Sequence, residues 1–252
     1  MEDINDFFHF KNTVNNISND EHKQTANYLE PIKAFARTTY KSIYVIDYHK
    51  KEFEYVSDNP LFLCGHTAQE VKEMGYAFYF KYVIKPDLDL LLKINTVGFD
   101  FFDKIPLEER KNHTISYDYC LKNQEGKKIL INQKLTPLFL TKDGKIWKSI
   151  CIISLSAEHN SGNIKIYKKG DNKVFKYDLE GDFWTNTEKI KLTSREKEIL
   201  QYSTRGYTIN EVAEAIFVSP DTVKFHRRKL FEKLEVVNIS EAIAHATNNK
   251  LI

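Results

Sequence analysis

Residues 220–235 combine clustered cations with an aromatic residue at helical spacing. Five Lys and Arg residues fall there, against three acidic residues. Lys224, Phe225 and Arg228 lie at i+3, i+4 and i+7 from Asp221, so a helix would bring all four to one face. Lys and Arg suit guanine edges and phosphates, and a helix fits the major groove of double-stranded DNA. The pattern therefore predicts contact with DNA, although a basic helix by itself is more often an ordinary solvated face.

Helix start signals surround this segment. A Ser or Thr followed three residues later by Glu forms a capping box, and proline is favoured at the first helical position. The signals are Thr193 with Glu196, Thr208 with Glu211, Ser219 before Pro220, and Ser240 as a further N-cap. The predicted helices are 194–205, 209–217, 220–235 and 241–248.

The second and third of these helices each carry one apolar stripe. The stripes are Ile209, Val212, Ala213 and Ile216 on the second helix, and Val223, Leu230 and Leu234 on the third. Ala213 is small where two helices must approach closely, and 217–219 leave room only for a tight turn. The pattern favours a helix-turn-helix whose third helix turns its cations outward.

The segment 192–248 resembles the LuxR-type DNA-binding domain, a four-helix output module of bacterial transcription regulators. The matching strings are LTSREKEIL at 192–200, Gly206, Thr208, EVAEAIFVS at 211–219, PDTVKFH at 220–226, KL at 233–234, Asn238 and EA at 241–242. The resemblance covers about a quarter of the chain without a gap. It implies an all-α domain of four helices over residues 192–252.

This resemblance also implies roles for single residues. It places Lys224, Phe225 and Arg228 against base edges. It places Thr222, Arg227 and Lys229 near phosphates. The fourth helix, 240–248, is implied to pair with a second subunit, which predicts a homodimer on DNA.

Four residues at three places depart from the family's pattern. Ile209 and Asn210 stand where a polar, basic pair is commoner, and Ile239 replaces a frequent arginine, so two backbone contacts are in doubt. Glu235 stands where a glycine usually ends the recognition helix. A glutamate there must adopt a left-handed conformation or end the helix differently.

Composition sets the frame for the rest of the chain. Its 252 residues suffice for two domains, and the net charge of +2 is too small to be informative alone. No apolar run approaches the ~18 residues of a membrane helix, and the acidic start lacks a signal-peptide pattern, which predicts a cytoplasmic protein. The three cysteines form no C-x-x-C pair, so free core thiols are expected and no metal site is predicted. No catalytic or phosphate-binding motif is found, so no enzyme activity is predicted.

The front of the chain divides into three predicted parts. Residues 1–38 read as a helical segment that packs on the next domain or on a partner subunit. Residues 39–157 show two short strands, a helical middle and three long strands at 113–122, 127–140 and 145–156. This order predicts an α+β fold, a five-stranded antiparallel sheet with helices on one face. Residues 158–191 read as a β-hairpin connector that fixes the last domain against this one.

The 39–157 part resembles a PAS sensor domain. YVSDNPLFLCGHTAQEV at 55–71 is similar to the family's strand, Asn-bearing helix and Thr-led helix, and 117–139 resemble its paired C-terminal strands. An acyl-lactone-binding domain is an alternative for this part of the chain, since such a domain is also a sheet with helices. A phospho-receiver does not fit, because the region lacks alternating β/α units and an acidic pair after the first strand.

Four residues of the sheet are candidates for a ligand pocket. Gln133 lies on the apolar, inward face of its strand, where a polar group must be hydrogen-bonded to the core or to a ligand. Tyr117, Tyr119 and Trp147 lie on neighbouring strands. A filled core with a satisfied glutamine is the competing interpretation. No cofactor is predicted. A light-sensing flavin domain of the PAS family would carry an Asn-Cys-Arg-Phe-like string, whereas here Cys64 is followed by Gly65 and His66. The apolar helix predicted within 85–99 has no histidine that could bind haem.

The sequence thus predicts a DNA-binding transcriptional regulator whose PAS-like domain senses a signal or mediates dimerisation. One alternative is a protein–protein interaction module with a constitutive PAS-like dimerisation platform and no ligand. A sensor enzyme is a third class, for which the sequence offers no catalytic constellation. Neither the ligand, nor the DNA site, nor the direction of regulation follows from the sequence.

Overall fold

The chain forms two compact units in the computed structural model, which describes residues 3–8, 11–23 and 27–252. The front unit is Met1–Thr187 and the back unit is Glu188–Ile252. Parts of the predicted N-terminal helical segment, at 1–2, 9–10 and 24–26, lie outside the described residues. Among the described residues, no helix is long and apolar enough to cross a membrane.

The front unit is built around strands β1 to β8. Its strands are β1 Ser42–Asp47, β2 Glu52–Val56, β3 His113–Lys122, β4 Lys128–Leu140, β5 Ile146–Leu155, β6 Gly162–Lys168, β7 Lys173–Asp178 and β8 Phe183–Glu188. Its α-helices are α1 Asn19–Lys23, α2 Leu29–Thr38, α3 Pro60–Leu63, α4 Ala68–Met74, α5 Ala77–Tyr82 and α6 Lys85–Asp103. Short 3-10 helices occupy Ile4–Phe7 and Leu107–Asn112. Two strands, helices and three long strands thus follow one another in the predicted order.

Within the described residues the sheet has eight strands in the order β2-β1-β5-β4-β3-β6-β7-β8, so the prediction of five is wrong. The extra strands come from the predicted connector, because β6 pairs antiparallel with the edge of β3 that five strands would leave open. An unpaired strand edge leaves backbone donors and acceptors unsatisfied. The β-hairpin predicted at 164–179 is present as β6 and β7, and through β6 it extends the sheet.

Helical segments lie on both faces of the sheet. On the inner face, α3 to α6 cover side chains such as Tyr44, Ile46 and Ile131, which are buried in one continuous core. On the outer face, Tyr28 at the start of α2 packs edge-on against Phe139 at 5.0 Å between ring centroids. Successive residues of a strand face opposite sides, and the outer side of β1 is as apolar as the inner one, so it also needs cover. The helices within 39–157 thus cover the inner face, and the outer face is covered by α2 of the predicted N-terminal segment.

A buried ion cluster joins α2 to the outer face. The Nζ of Lys148 lies 2.6 Å from Oε2 of Glu54 and 3.2 Å from Oδ2 of Asp47, and its side chain is 6% exposed. The hydroxyl of Tyr28 donates to the same Glu54 oxygen. The ammonium group also lies 5.1 Å from the ring centroids of Tyr28 and Trp147. One cation thus compensates two carboxylates in a site that water scarcely reaches.

Helix α6 connects the inner core to the last strands. Its buried Asp87 accepts hydrogen bonds from the backbone N–H of Cys120, at 2.6 Å, and from Oγ of Ser161, at 2.5 Å. Further along, Phe101 packs against Phe175 of β7 and Trp184 of β8, each at 4.9 Å between centroids. Because β8 ends at Glu188, the same helix contacts both the sheet and the segment that leads to the back unit.

The back unit contains the four predicted helices. They are α7 Ser194–Thr204, α8 Ile209–Ala215, α9 Pro220–Leu234 and α10 Ile239–Asn248. Thr193 and Thr208 cap α7 and α8 through the predicted capping boxes. The start of α10 differs from the prediction: Asn238, not Ser240, is its N-cap, and its Oδ1 accepts from the backbone N–H of Glu241 at 2.9 Å. An asparagine is as good a cap as a serine, so the choice depends on where the chain turns.

Candidate nucleic-acid interface and cavity

Helix α9 is fixed at both ends and along one side. Ser219 caps it by accepting from the backbone N–H of Thr222 at 3.1 Å. Val223 and Leu230 are fully buried against the other helices. At its end Glu235 has φ 58° and ψ 42°, the left-handed conformation expected where the family has glycine. These constraints leave the opposite face of α9 free to present its side chains to a partner.

That opposite face carries exposed cations around one aromatic ring. Phe225 is 42% exposed, although it is large and apolar. The Nζ of Lys229 lies 4.6 Å from its ring centroid and the guanidinium carbon of Arg228 lies 5.8 Å away. Lys224 is exposed and pairs with Asp221 at 3.0 Å. An ion pair this exposed is weak, so Lys224 can exchange Asp221 for a stronger anionic partner.

Two other cations of α9 have structural contacts. Arg227 is half-buried, with its guanidinium carbon 5.6 Å from the ring centroid of Phe231, and burial lowers the pKa of this arginine. Lys233 turns back toward α7, where its Nζ lies 2.7 and 2.8 Å from the two carboxylate oxygens of Glu196. Of the five cations counted in 220–235, Lys233 therefore stabilises the back unit and does not belong to the exposed face.

The front unit contains a cavity of about 90 Å³ between the inner sheet face and α6. Phe7 from the N-terminal segment, Tyr48 from the end of β1 and Tyr76 before α5 close parts of it. Of the described residues that line it, none is Asp, Glu, Lys or Arg. Burial raises the pKa of the lining tyrosines Tyr76 and Tyr117 well above the usual value, so their hydroxyls stay neutral. The lining is thus mostly apolar, and its polar groups are tyrosine hydroxyls, the amides of Asn95 and Gln133, and the imidazole of His113.

Two of the four predicted pocket residues line this cavity, namely Tyr117 and Gln133. Gln133 donates to the hydroxyl of Tyr117 at 2.6 Å and accepts from the hydroxyl of Tyr119 at 2.7 Å. Tyr119 is fully buried behind the glutamine and is not among the lining residues. The amide of Gln133 is therefore satisfied by the core, as the competing interpretation expects, while its side chain still borders open space.

Trp147 does not reach the cavity. Phe139 pairs with Lys148 and Leu140 with Ile146, so Trp147 is an extra residue in a β-bulge of β5. The bulge breaks the strand alternation, and the indole turns to the outer face, with its centroid 5.5 Å from that of His22 and 6.1 Å from that of Phe139. Its neighbour Ile146 lines the cavity instead.

The cavity also uses residues that the sequence did not single out. Phe7, Tyr48, Tyr76 and Asn95 come from four separate parts of the chain. Asn95 donates to the backbone carbonyl of Phe7 at 2.5 Å, which holds the N-terminal segment in the cavity wall. No local pattern marks such residues, because only the packing of distant segments brings them together. In the described part of the chain, no group of three His, Cys, Asp or Glu residues is placed to hold a metal ion.

Comparison with known proteins identifies the back unit. Residues 191–246 match the model of the bacterial regulatory proteins of the luxR family. The CsgBAC operon transcriptional regulatory protein of Escherichia coli is 42% identical over 66 residues, which are 26% of this chain and 31% of that protein. The probable transcriptional regulatory protein NarL of Mycobacterium tuberculosis is 38% identical over 61 residues, 24% of this chain and 28% of that protein. The chain thus spans about a third of the length of these relatives.

Solved structures resemble longer parts of the chain at lower identity. The Vibrio cholerae VqmA–ligand–DNA complex is 17% identical, with a TM-score of 0.35, and covers 88% of this chain and 89% of that one. A PAS domain from Colwellia psychrerythraea is 10% identical, with a TM-score of 0.36, and covers 52% of this chain and 98% of that one. Scores of this size add no argument about the fold or the ligand of the front unit.

Proposed function

We propose that this protein, whose residues 191–246 form a LuxR-type helix-turn-helix domain, is a sequence-specific DNA-binding transcriptional regulator. The supporting observation is the outward face of α9, where Lys224, Arg228 and Lys229 are exposed around Phe225. Lys and Arg on a capped, rigid helix can reach guanine edges in the major groove while their neighbours contact phosphates. Two copies of the chain would address two half-sites.

The test of this proposal is selection from a random-sequence duplex pool with the full chain at two salt concentrations. We expect an enriched two-fold site and an affinity that falls steeply as the salt concentration rises. The reason is that Lys and Arg side chains that bind phosphates release the counterions condensed on DNA. The spacing between the two half-sites would then show that two copies of the chain bind together as a dimer. Weak, salt-insensitive and unselective binding would contradict the proposal and favour a helix-turn-helix that meets another protein.

Single substitutions should separate base contacts from phosphate contacts. Replacing Lys224 or Arg228 with alanine is expected to cost about 1–3 kcal/mol on the selected site and to relax its specificity. Lys229→Ala should weaken matched and mismatched sites alike, because a phosphate contact carries no sequence information. Quantitative binding to both kinds of site measures the difference, with Lys197→Ala, an exposed cation on α7, as the control. Equal effects of Arg228→Ala and Lys229→Ala on specificity would contradict these roles.

The front unit is proposed to sense a small neutral molecule in its cavity. Among the described residues the lining has no Asp, Glu, Lys or Arg, and the Nδ1 of its one histidine, His113, already bonds the backbone carbonyl of Glu109, so a charged ligand would lose its hydration with little compensation. A dry cavity of about 150 Å³ can bind benzene, so about 90 Å³ suits a ligand smaller than benzene. Helix α6 lines the cavity and also packs on Trp184 of β8, which gives occupancy a route to the segment before the back unit.

2-Butanone and propionate, which are nearly equal in size and smaller than benzene, form a neutral and a charged probe of this cavity. 2-Butanone at ten times its Kd should raise the Tm of the front unit by about 3–6 °C, whereas propionate at the same concentration should not. Both tryptophans lie in the front unit, so their fluorescence reports its unfolding. Ile94→Phe, which adds volume inside the cavity wall, should abolish the effect of 2-butanone. A front unit that neither probe stabilises would favour the alternative, a dimerisation platform without a ligand.

A further inference from the structure

Phe225 is the large apolar side chain on an otherwise polar face of α9. It is 42% exposed, whereas Val223, Leu230 and Leu234 of the same helix are buried in the back unit. Leaving this ring in water gains nothing for the folded back unit, since it contacts no part of the core. Its ring instead lies beside the two cations Arg228 and Lys229, at 5.8 Å and 4.6 Å from its centroid.

These neighbours determine where the ring would lie on DNA. Residues three or four apart on a helix lie about 5–6 Å from one another, and bases along a strand are about 3.4 Å apart. If Arg228 reaches a base edge, Phe225 therefore lies within about one or two base pairs of it. At that depth the major groove offers mostly hydrogen-bonding groups, and its one apolar feature is the C5-methyl group of thymine.

We propose that Phe225 is a specificity-determining residue that reads a thymine by contact with its C5-methyl group. The inference rests on the proposed DNA-binding function and adds the chemistry of one base position. The phenyl ring provides apolar surface for the methyl group, and the guanidinium of Arg228, 5.8 Å from the ring centroid, holds its orientation through a cation–π contact. Cytosine has no methyl group at C5, so at this position it would leave the ring beside its polar amino group.

Deoxyuridine provides the test, because it pairs as thymidine does and lacks only the methyl group. Each thymine of the selected site is replaced in turn by deoxyuridine, and the affinity of the full chain is measured. Burial of one methyl group predicts a loss of about 3- to 5-fold at one thymine in each half-site. That thymine should lie within about one or two base pairs of the position where Arg228→Ala relaxes specificity.

Variants of the protein test the same contact from the protein side. Phe225→Ala should weaken binding to the thymine site and bind the thymine and deoxyuridine sites equally, since the two changes remove the same contact. Phe217→Ala is the matched control, because Phe217 is 95% exposed in the same unit but lies outside α9; it should keep the deoxyuridine loss. An unchanged loss in Phe225→Ala, or no loss at any thymine in the wild type, overturns the inference. If no sequence is selected at all, the proposed function itself fails and the inference falls with it.

Discussion

Replacing Lys148 with alanine is expected to lower the free energy of unfolding of the front unit by about 3–5 kcal/mol, the cost of removing one partner from a buried ion pair. The Nζ of Lys148 is the cation that faces Asp47 and Glu54, at 3.2 and 2.6 Å. Asp47 is 1% exposed, so its carboxylate cannot regain hydration when the ammonium group is lost. Urea unfolding followed by tryptophan fluorescence measures the change.

Two further variants make this prediction specific. Lys50→Ala removes an exposed pair with Glu52, at 3.6 Å, and should cost about 0–1 kcal/mol. The combined variant Asp47→Asn, Glu54→Gln and Lys148→Met replaces the whole cluster with neutral groups of similar size and should recover most of the loss. If Lys148→Ala were as mild as Lys50→Ala, the cluster would not hold the outer face, and the contact between α2 and the sheet would depend on its aromatic rings.

Replacing Leu230 with alanine is expected to destabilise the back unit by about 2–5 kcal/mol. Leu230 is fully buried in a cluster with Leu200, Leu234, Ala242 and Ala246. A unit as small as Glu188–Ile252 has roughly 3–10 kcal/mol of stability in total. The substitution should therefore remove much of it and abolish DNA binding, although Leu230 would touch no base.

Helical circular dichroism and DNA binding measure this effect, while tryptophan fluorescence shows whether the front unit remains folded. Val237→Ala is the control, because Val237 is 78% exposed in the same unit. A Leu230→Ala protein that keeps its helical signal and its DNA affinity would contradict the assignment of Leu230 to the core. The pair of variants also separates loss of fold from loss of contact, which Arg228→Ala alone cannot do.

The back unit could be predicted closely because its signals are local. A capping box such as Thr193 with Glu196 involves residues three apart, and the apolar stripe of α9 repeats within a few turns. Such patterns depend on the chain's own geometry and survive whatever packs around them. Of the two alternatives that the sequence left for Glu235, the structure has the left-handed conformation, which ends α9 as a glycine would.

Only the tertiary structure decided the rest, because those features join residues distant in sequence. In the sequence Lys233 counts as one more cation of α9, but in the structure α7 packs beside it and Glu196 forms an ion pair with it. Trp147 follows the strand alternation until a bulge, set by its pairing with β4, turns it to the outer face. In the same way, the sequence predicts the hairpin of β6 and β7, but only the open edge of β3 makes that hairpin part of the sheet. The sequence alone determined the helices and the chemistry they carry, while packing determined which side chains remain available for it.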